Sequence, residues 1–181
     1  MDFKKVIEQL VSSFDKAGIR YAFIGGFALG LWGRSRATAD IDFLVNRDDM
    51  EKVDCVMQGL GYECKYGTEN VSQYVSPLKV FGEVDFLHAF REASLEMLGR
   101  VEEKDAFDSS LKIKVLRPED LIGLKIQAMK NNPGREMLDT ADIEMLVSIH
   151  KDRLDWSLIE KYCSIFEMDD LYEKICRSTG E

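Results

Sequence analysis

Asp40 and Asp42 stand either side of Ile41, about a dozen residues after the glycine pair Gly25-Gly26. In an extended strand, residues two apart face the same side. The sequence therefore predicts two carboxylates pointing together, with Ile41 and Phe43 on the opposite face. Neighbouring carboxylates repel and raise each other's pKa unless a cation lies between them. Hard divalent cations with oxygen ligands, such as Mg²⁺, meet that need. The glycines follow the apolar run Tyr21-Ala22-Phe23-Ile24 and open a second apolar run that reads as a helix. Bare backbone N–H groups at such a turn suit a phosphate. Metal-binding carboxylates beside a phosphate cradle point to chemistry on a nucleoside triphosphate. A further pair, Glu83 and Asp85, alternates in Glu83-Val84-Asp85-Phe86-Leu87, so either could add a third carboxylate.

Other chemistries find less support. The spacing of Gly25, Gly26, Gly30 and Gly33 does not match Gly-x-Gly-x-x-Gly, and no Gly-Lys-Ser/Thr loop occurs. His88 and His150 are the only histidines, and no nucleophile–His–acid triad suggests itself. His88 falls on the strand face opposite Asp85 and reads as structural. Cys55, Cys64, Cys163 and Cys176 are scattered and read as core thiols of a cytoplasmic protein, without zinc-site spacing. The first residues mix acid and base and do not read as a signal peptide. No apolar stretch approaches the ~20 residues of a membrane span.

Net charge is −9 over 181 residues. The first 117 residues carry 16 basic against 19 acidic side chains, and the remainder 8 against 14. Such a balance counts against broad nucleic-acid affinity. It leaves room for a local basic loop, since Arg34 and Arg36 adjoin the acidic pair.

Several elements must position these residues. Phe3, Val6, Ile7, Leu10, Val11 and Phe14 recur at helical spacing, and Gly18 ends that helix. A strand is expected at 21–24, a short helix at about 26–32, a polar loop at 33–39 and a strand at 40–45. Asn46 or Asp48 would cap a helix that Gly61 stops. Strands are expected at 62–66, 73–81, 84–88 and 111–116, with a short helix at 93–98. Pro118, Glu119 and Asp120 suit a first helical turn. Helices are expected from there on, at 121–130, 135–149, 156–166 and 168–177. The fold class is α/β (α+β): a mixed sheet flanked by helices over 1–117, then a helical part over 118–181 packed on it.

Together, these residues resemble the nucleotidyltransferase superfamily that includes DNA polymerase β. Gly25-Gly26, Asp40 and Asp42 match its glycine pair and Asp-x-Asp strand. Arg36 and Thr38 resemble its Arg-x-Thr-x-Asp run. More narrowly, the chain resembles the AbiEii-like branch, the toxin side of type IV toxin–antitoxin systems. Lys125 in LIGLKIQAMK, and Asp139 and Asp142 in REMLDTADIEML, fit that branch's later lysine and second acidic pair. The resemblance runs from about Tyr21 to Val147. It implies that Asp40 and Asp42 bind Mg²⁺, or alternatively Mn²⁺, with one of them bridging two ions. In such two-metal sites the ions lie about 3.5–4 Å apart and clamp the attacking and leaving oxygens. It also favours Asp85 as the third acid, serving as metal ligand or general base, with Glu83 a turn residue. Gly25, Gly26, Arg36, Thr38, Lys125, Asp139 and Asp142 become the nucleotide-binding candidates.

The implied activity is transfer of a nucleoside monophosphate from an NTP to an acceptor hydroxyl on a tRNA end, a protein or a small molecule. A toxin of this kind would pair with an antitoxin protein. Two alternatives stand beside it. One is an antibiotic nucleotidyltransferase of the aminoglycoside or lincosamide type, which the acidic C-terminal part would suit. The other is a non-catalytic domain of the same fold that binds a partner, which would have no need of three metal-binding acids.

Overall fold

The computed structural model describes residues 2–34, 38, 40–78 and 81–178. The chain divides into two compact units, one comprising Met1–Ala28 with Arg36–Leu116, the other Leu29–Ser35 with Arg117–Glu181.

The first unit is built on a seven-stranded mixed sheet. Its strands are β1 (Tyr21–Ile24), β2 (Ile41–Asn46), β3 (Glu63–Gly67), β4 (Val71–Val75), β5 (Glu83–Ala89), β6 (Glu102–Ala106) and β7 (Leu111–Val115). Their order across the sheet is β3-β4-β5-β2-β1-β7-β6. β2 runs parallel to β5 and antiparallel to β1, and β1 runs parallel to β7. Central strands β1 and β2 are almost wholly buried, as their continuous apolar runs require.

Helix α1 (Phe3–Ala17) begins where the Asp2 carboxylate accepts from Lys5 N–H, and it ends on Gly18 in the left-handed conformation. Its apolar stripe buries Phe14 against the sheet. The Phe14 ring lies 5.3 Å from those of Tyr21 and Phe43 and 6.0 Å from that of Phe86. Residues two apart share a face, so Phe23, Phe43 and Phe86 define the core face of the sheet. Ile24, Asp42 and Asp85 stand on the other. Helix α3 (Met50–Gly59) follows a 3₁₀ turn, Arg47–Asp49, that the Asn46 side chain caps by accepting from Asp48 N–H. Helix α4 is Glu92–Gly99.

The second unit is helical. The end of α2 (Gly25–Leu31) is grouped with α5 (Pro118–Asn131), α6 (Glu136–His150), α7 (Trp156–Ile165) and α8 (Asp169–Ser178). Tyr162 lies flat against Gly123, where an added Cβ would sit 2.6 Å from the ring. The Tyr162 hydroxyl donates to the buried Asp120 carboxylate at 2.6 Å.

Four local expectations need correction. β2 begins at Ile41, so Asp40 occupies a bend just before the strand. The strand expected over 73–81 ends at Val75. Strand β6 was not anticipated: its sequence, Glu-Glu-Lys-Asp-Ala, carries the charges of an exposed sheet edge and no apolar alternation. The cysteines are not uniformly core: Cys163 is buried, Cys176 is half-buried, and Cys55 and Cys64 are exposed. Among the described residues, no helix is long and apolar enough to cross a membrane.

Candidate active site

Gly25 closes β1 and opens α2 with φ +64°, a conformation glycine adopts without penalty. Space demands glycine as well. A Cβ here would lie 2.0 Å from Asp42 Oδ2 and 2.5 Å from its Cγ. The Asp42 carboxylate thus rests directly against the Gly25 backbone. Gly26 repeats the pattern, since its Cβ would meet Thr38 Cβ at 2.9 Å and Oγ1 at 3.0 Å. Thr38 in turn donates from Oγ1 to the Asp40 carbonyl at 3.0 Å. The glycine pair is therefore the surface against which the Asp42 and Thr38 side chains rest. Arg36 lies outside the described residues.

Asp42 and Asp85 are paired positions on the parallel strands β2 and β5. Both are half-buried. Burial pushes the Asp85 carboxyl above its ordinary range. A hydrogen bond from Gln73 opposes this, while the charges of Asp40 and Glu83 add to it. Asp85 thus senses Asp40, which the sequence placed two residues from Asp42. Gln73 also donates from Nε2 to Glu83 Oε2 at 3.2 Å. A cavity of about 350 Å³ opens here, lined by Asp42 and Asp85 together with Ile24, Tyr66, Gln73 and Leu87 among others.

The donor set fits a hard divalent cation: the oxygens are carboxylate, and the charges of Asp40 and Glu83 that act on Asp85 are opposed by Lys65. Among the described residues, no three acidic, histidine or cysteine side chains are drawn together tightly enough to enclose an ion.

Lys125, Asp139 and Asp142 lie in the helical unit and meet there. Lys125 Nζ is 2.9 Å from Asp139 Oδ1 and 2.5 Å from Asp142 Oδ2. Arg135 Nε donates to Asp139 Oδ2 at 2.9 Å, and Arg34 Nη2 pairs with Asp142 Oδ1 at 2.8 Å. Arg34 also donates to the Ala141 carbonyl. Both aspartates are fully buried. Burial works against the Asp139 charge, but the hydrogen bonds from Arg135 and Lys125 outweigh it and hold the carboxyl below its ordinary range. The two acids thus hold cations in place, the partners that fully buried carboxylates need.

A family model described as an uncharacterised nucleotidyltransferase matches residues 3–177. The chain belongs to that family. No curated protein matches the sequence. Among solved structures, this nucleotidyltransferase is similar to the antibiotic-resistance factor ANT(2'')-Ia, with a TM-score of 0.69 and 14% identity over 99% of this chain and 100% of that one. It is similar to an antigenic nucleotidyltransferase-like protein from Paracoccidioides brasiliensis, with a TM-score of 0.58 and 18% identity over 96% and 92% of the two chains. The lincosamide antibiotic adenylyltransferase LnuA, bound to lincomycin, gives 0.57 and 17% over 80% and 96%. At these identities the likeness is one of fold. That fold is the mixed sheet with a C-terminal helical part expected from the polymerase β resemblance.

Two features of the candidate site escaped the sequence. Gln73 and Tyr66 line the acidic cavity, yet neither belongs to a motif. Only strand register places them there, and register between β3, β4 and β5 is not legible from residue types. His88, by contrast, is the structural residue expected. Its Nε2 lies 3.0 Å from Ser72 Oγ and its Nδ1 3.1 Å from the Glu69 carbonyl, so it ties β5 to β4 and to the turn after β3.

Proposed function

We propose that the chain transfers a nucleoside monophosphate from an NTP to an acceptor hydroxyl, with the triphosphate against Gly25-Gly26 and divalent metal at Asp40, Asp42 and Asp85. The observation that carries this reading is the seating of the Asp42 carboxylate on the Gly25 backbone, opposite Asp85. A ligand on the glycine pair would meet metal-binding oxygens at once. Mg²⁺ held there would supply positive charge to the reacting phosphate and to the departing pyrophosphate.

The chain's own residues would supply position and proton transfer. Gly25 and Gly26 admit phosphate oxygens to the backbone, and Thr38 fixes the Asp40 segment. Asp85 would accept the proton from the acceptor hydroxyl in the case where it is not itself held by the metal. The acceptor oxygen then bonds to the α-phosphorus, the bond to the β-phosphate oxygen breaks, and pyrophosphate leaves. Most of the rate enhancement comes from orientation and charge placement.

The acceptor divides the reading. Resemblance to the toxin branch favours a tRNA end and an antitoxin partner. A second reading, an antibiotic-type small molecule, draws on the adenylyltransferases of similar fold, one bound to lincomycin and one to adenylyl-2''-tobramycin. The net charge of −9 favours this second reading, because a polyanionic acceptor gains little from such a surface.

Titration calorimetry with a non-transferable ATP analogue tests the nucleotide part. Binding that requires Mg²⁺ and is lost in Asp42→Asn supports the reading. Binding indifferent to both contradicts it.

A further inference from the structure

Strand register sets five residues in one row across the first unit. Ile24 pairs with Asp42, Asp42 with Asp85, Asp85 with Gln73, and Gln73 with Tyr66. Directly paired residues share a face. The row therefore runs from the glycine pair, which follows Ile24, through both acids, to the edge strand β3. On the same face, Leu87 pairs with Val71.

The far end of this row is exposed. β3 is solvent-accessible along its whole length. Tyr66 is 56% exposed and Val71 37%, although both are side chains that strands ordinarily use for packing. Together with Gln73 and Leu87 they line the cavity of about 350 Å³ that also holds Asp42 and Asp85. Its size is that of a small-molecule site.

Chemistry assigns this end a role. In-line displacement requires the attacking oxygen to approach the phosphorus opposite the leaving group. With the leaving pyrophosphate at Gly25-Gly26, the attacking hydroxyl must come from the other side of the acids, over β4 and β3. A carboxamide there carries both a donor and an acceptor. Gln73 spends its donor on the neighbouring carboxylates, and its carbonyl is the kind of acceptor a substrate hydroxyl needs. An exposed tyrosine ring offers a flat face for stacking. Glu83, Asp85 and Asp42 outnumber Lys65, whose charge also reaches Asp85, so the surroundings disfavour a polyanion.

We propose that this cavity is the acceptor site, and that its acceptor is a neutral or cationic small molecule bearing a hydroxyl and a ring or apolar face. Tyr66 stacks on that face, Val71 and Leu87 form the apolar floor, and Gln73 positions the hydroxyl toward Asp85. This assignment rests on the nucleotidyl-transfer reading above.

The test uses the full chain and three variants: Tyr66→Ala, Val71→Trp to fill the cavity, and Gln73→Ala. Calorimetry reads the affinity for Mg²⁺ and a non-transferable ATP analogue. Transfer from α-labelled NTPs is read with tobramycin, lincomycin and unfractionated tRNA as probes, and circular dichroism checks folding. Tyr66→Ala and Val71→Trp are expected to keep nucleotide affinity within about twofold of the parent. Tyr66→Ala raises the KM of the labelled small molecule roughly tenfold with little change in kcat, Gln73→Ala lowers kcat, and Val71→Trp stops transfer. A roughly tenfold loss of nucleotide affinity in Tyr66→Ala or Val71→Trp overturns the assignment, because the cavity then holds the base of the NTP. Labelling of tRNA alone, or of no probe, overturns the acceptor class. A parent chain that binds no Mg²⁺–nucleotide defeats the nucleotidyl-transfer reading itself, a failure distinct from the other two.

Discussion

Gly25 is where backbone conformation and site geometry coincide. Its positive φ and its contact with Asp42 each forbid a side chain. Gly25→Ala must either twist the turn or push the carboxylate aside. It is expected to cost about 1–3 kcal/mol of stability in urea unfolding and to reduce transfer at least a hundredfold, since a misplacement near 1 Å has that effect. Asp85 offers a test of opposite sign. Its carboxyl is raised in the folded protein, so the protonated form is the one the fold favours. The group's stabilising contribution is full below its unfolded value of 3.8 and is lost as pH rises through the raised folded value. Without divalent metal, Asp85→Asn should therefore melt higher than the parent at neutral pH, with the difference vanishing toward pH 3.8. Adding Mg²⁺ should stabilise the parent more than the variant, which keeps only Asp40 and Asp42 of the three proposed ligands. A variant that melts lower than the parent under metal-free neutral conditions would contradict this reading of Asp85.

At the scale of elements, His88 braces the turn between β3 and β4, and Lys125 bridges the two acids of the helical cluster. His88 fastens the hairpin through Ser72 and the Glu69 carbonyl, and burial holds its imidazole below the ordinary range despite that carbonyl. A lowered folded pKa means stability that is present above 6.5 and lost as pH falls through the folded value. Hydrogen exchange at β3 and β4 should quicken as pH drops below 6.5, after correction for intrinsic rates, and this pH step should disappear in His88→Gln. In the helical unit, removing Lys125 leaves Asp139 and Asp142 fully buried with fewer cations. Lys125→Met is expected to cost about 3 kcal/mol in urea unfolding. Adding Asp142→Asn, which removes one of the two acids that Lys125 contacts, should cost less than the sum of the two single losses, whereas simple additivity would show that the cluster is not coupled.

How much of this was legible beforehand varies by element for physical reasons. Buried strands β1 and β2 and the amphipathic helix α1 announce themselves, because burial on one or both faces dictates their residue pattern. The exposed edges, β3 and β6, are under no such demand, and β6 could not be told from a charged loop. Asp40 and Asp42 stood out by residue type and spacing, whereas Asp85 was favoured over Glu83 only through the family resemblance. The expectation that Asp40 and Asp42 share a strand was too simple, since the chain bends at Asp40 before β2 begins. Gln73 and Tyr66 were not readable at all, because their place depends on pairing partners distant in sequence. The union of Lys125, Asp139 and Asp142 was foreseeable only as an ordered set of motifs. That Arg34 joins them depends on tertiary packing.

For the whole molecule, family membership and fold agree with a site in which the glycine pair, Asp42 and Asp85 share one face of the sheet. The central claim is that these residues move a nucleotide onto a hydroxyl. Incubation of the chain with α-labelled NTPs and Mg²⁺, offered tobramycin, lincomycin, tRNA and total protein, measures this directly. The expected result is label on an acceptor with stoichiometric pyrophosphate, abolished by chelation and reduced at least about a thousandfold in Asp42→Asn. Label transfer that persists undiminished in Asp42→Asn, or its absence from every acceptor at full Mg²⁺–NTP occupancy, would contradict it.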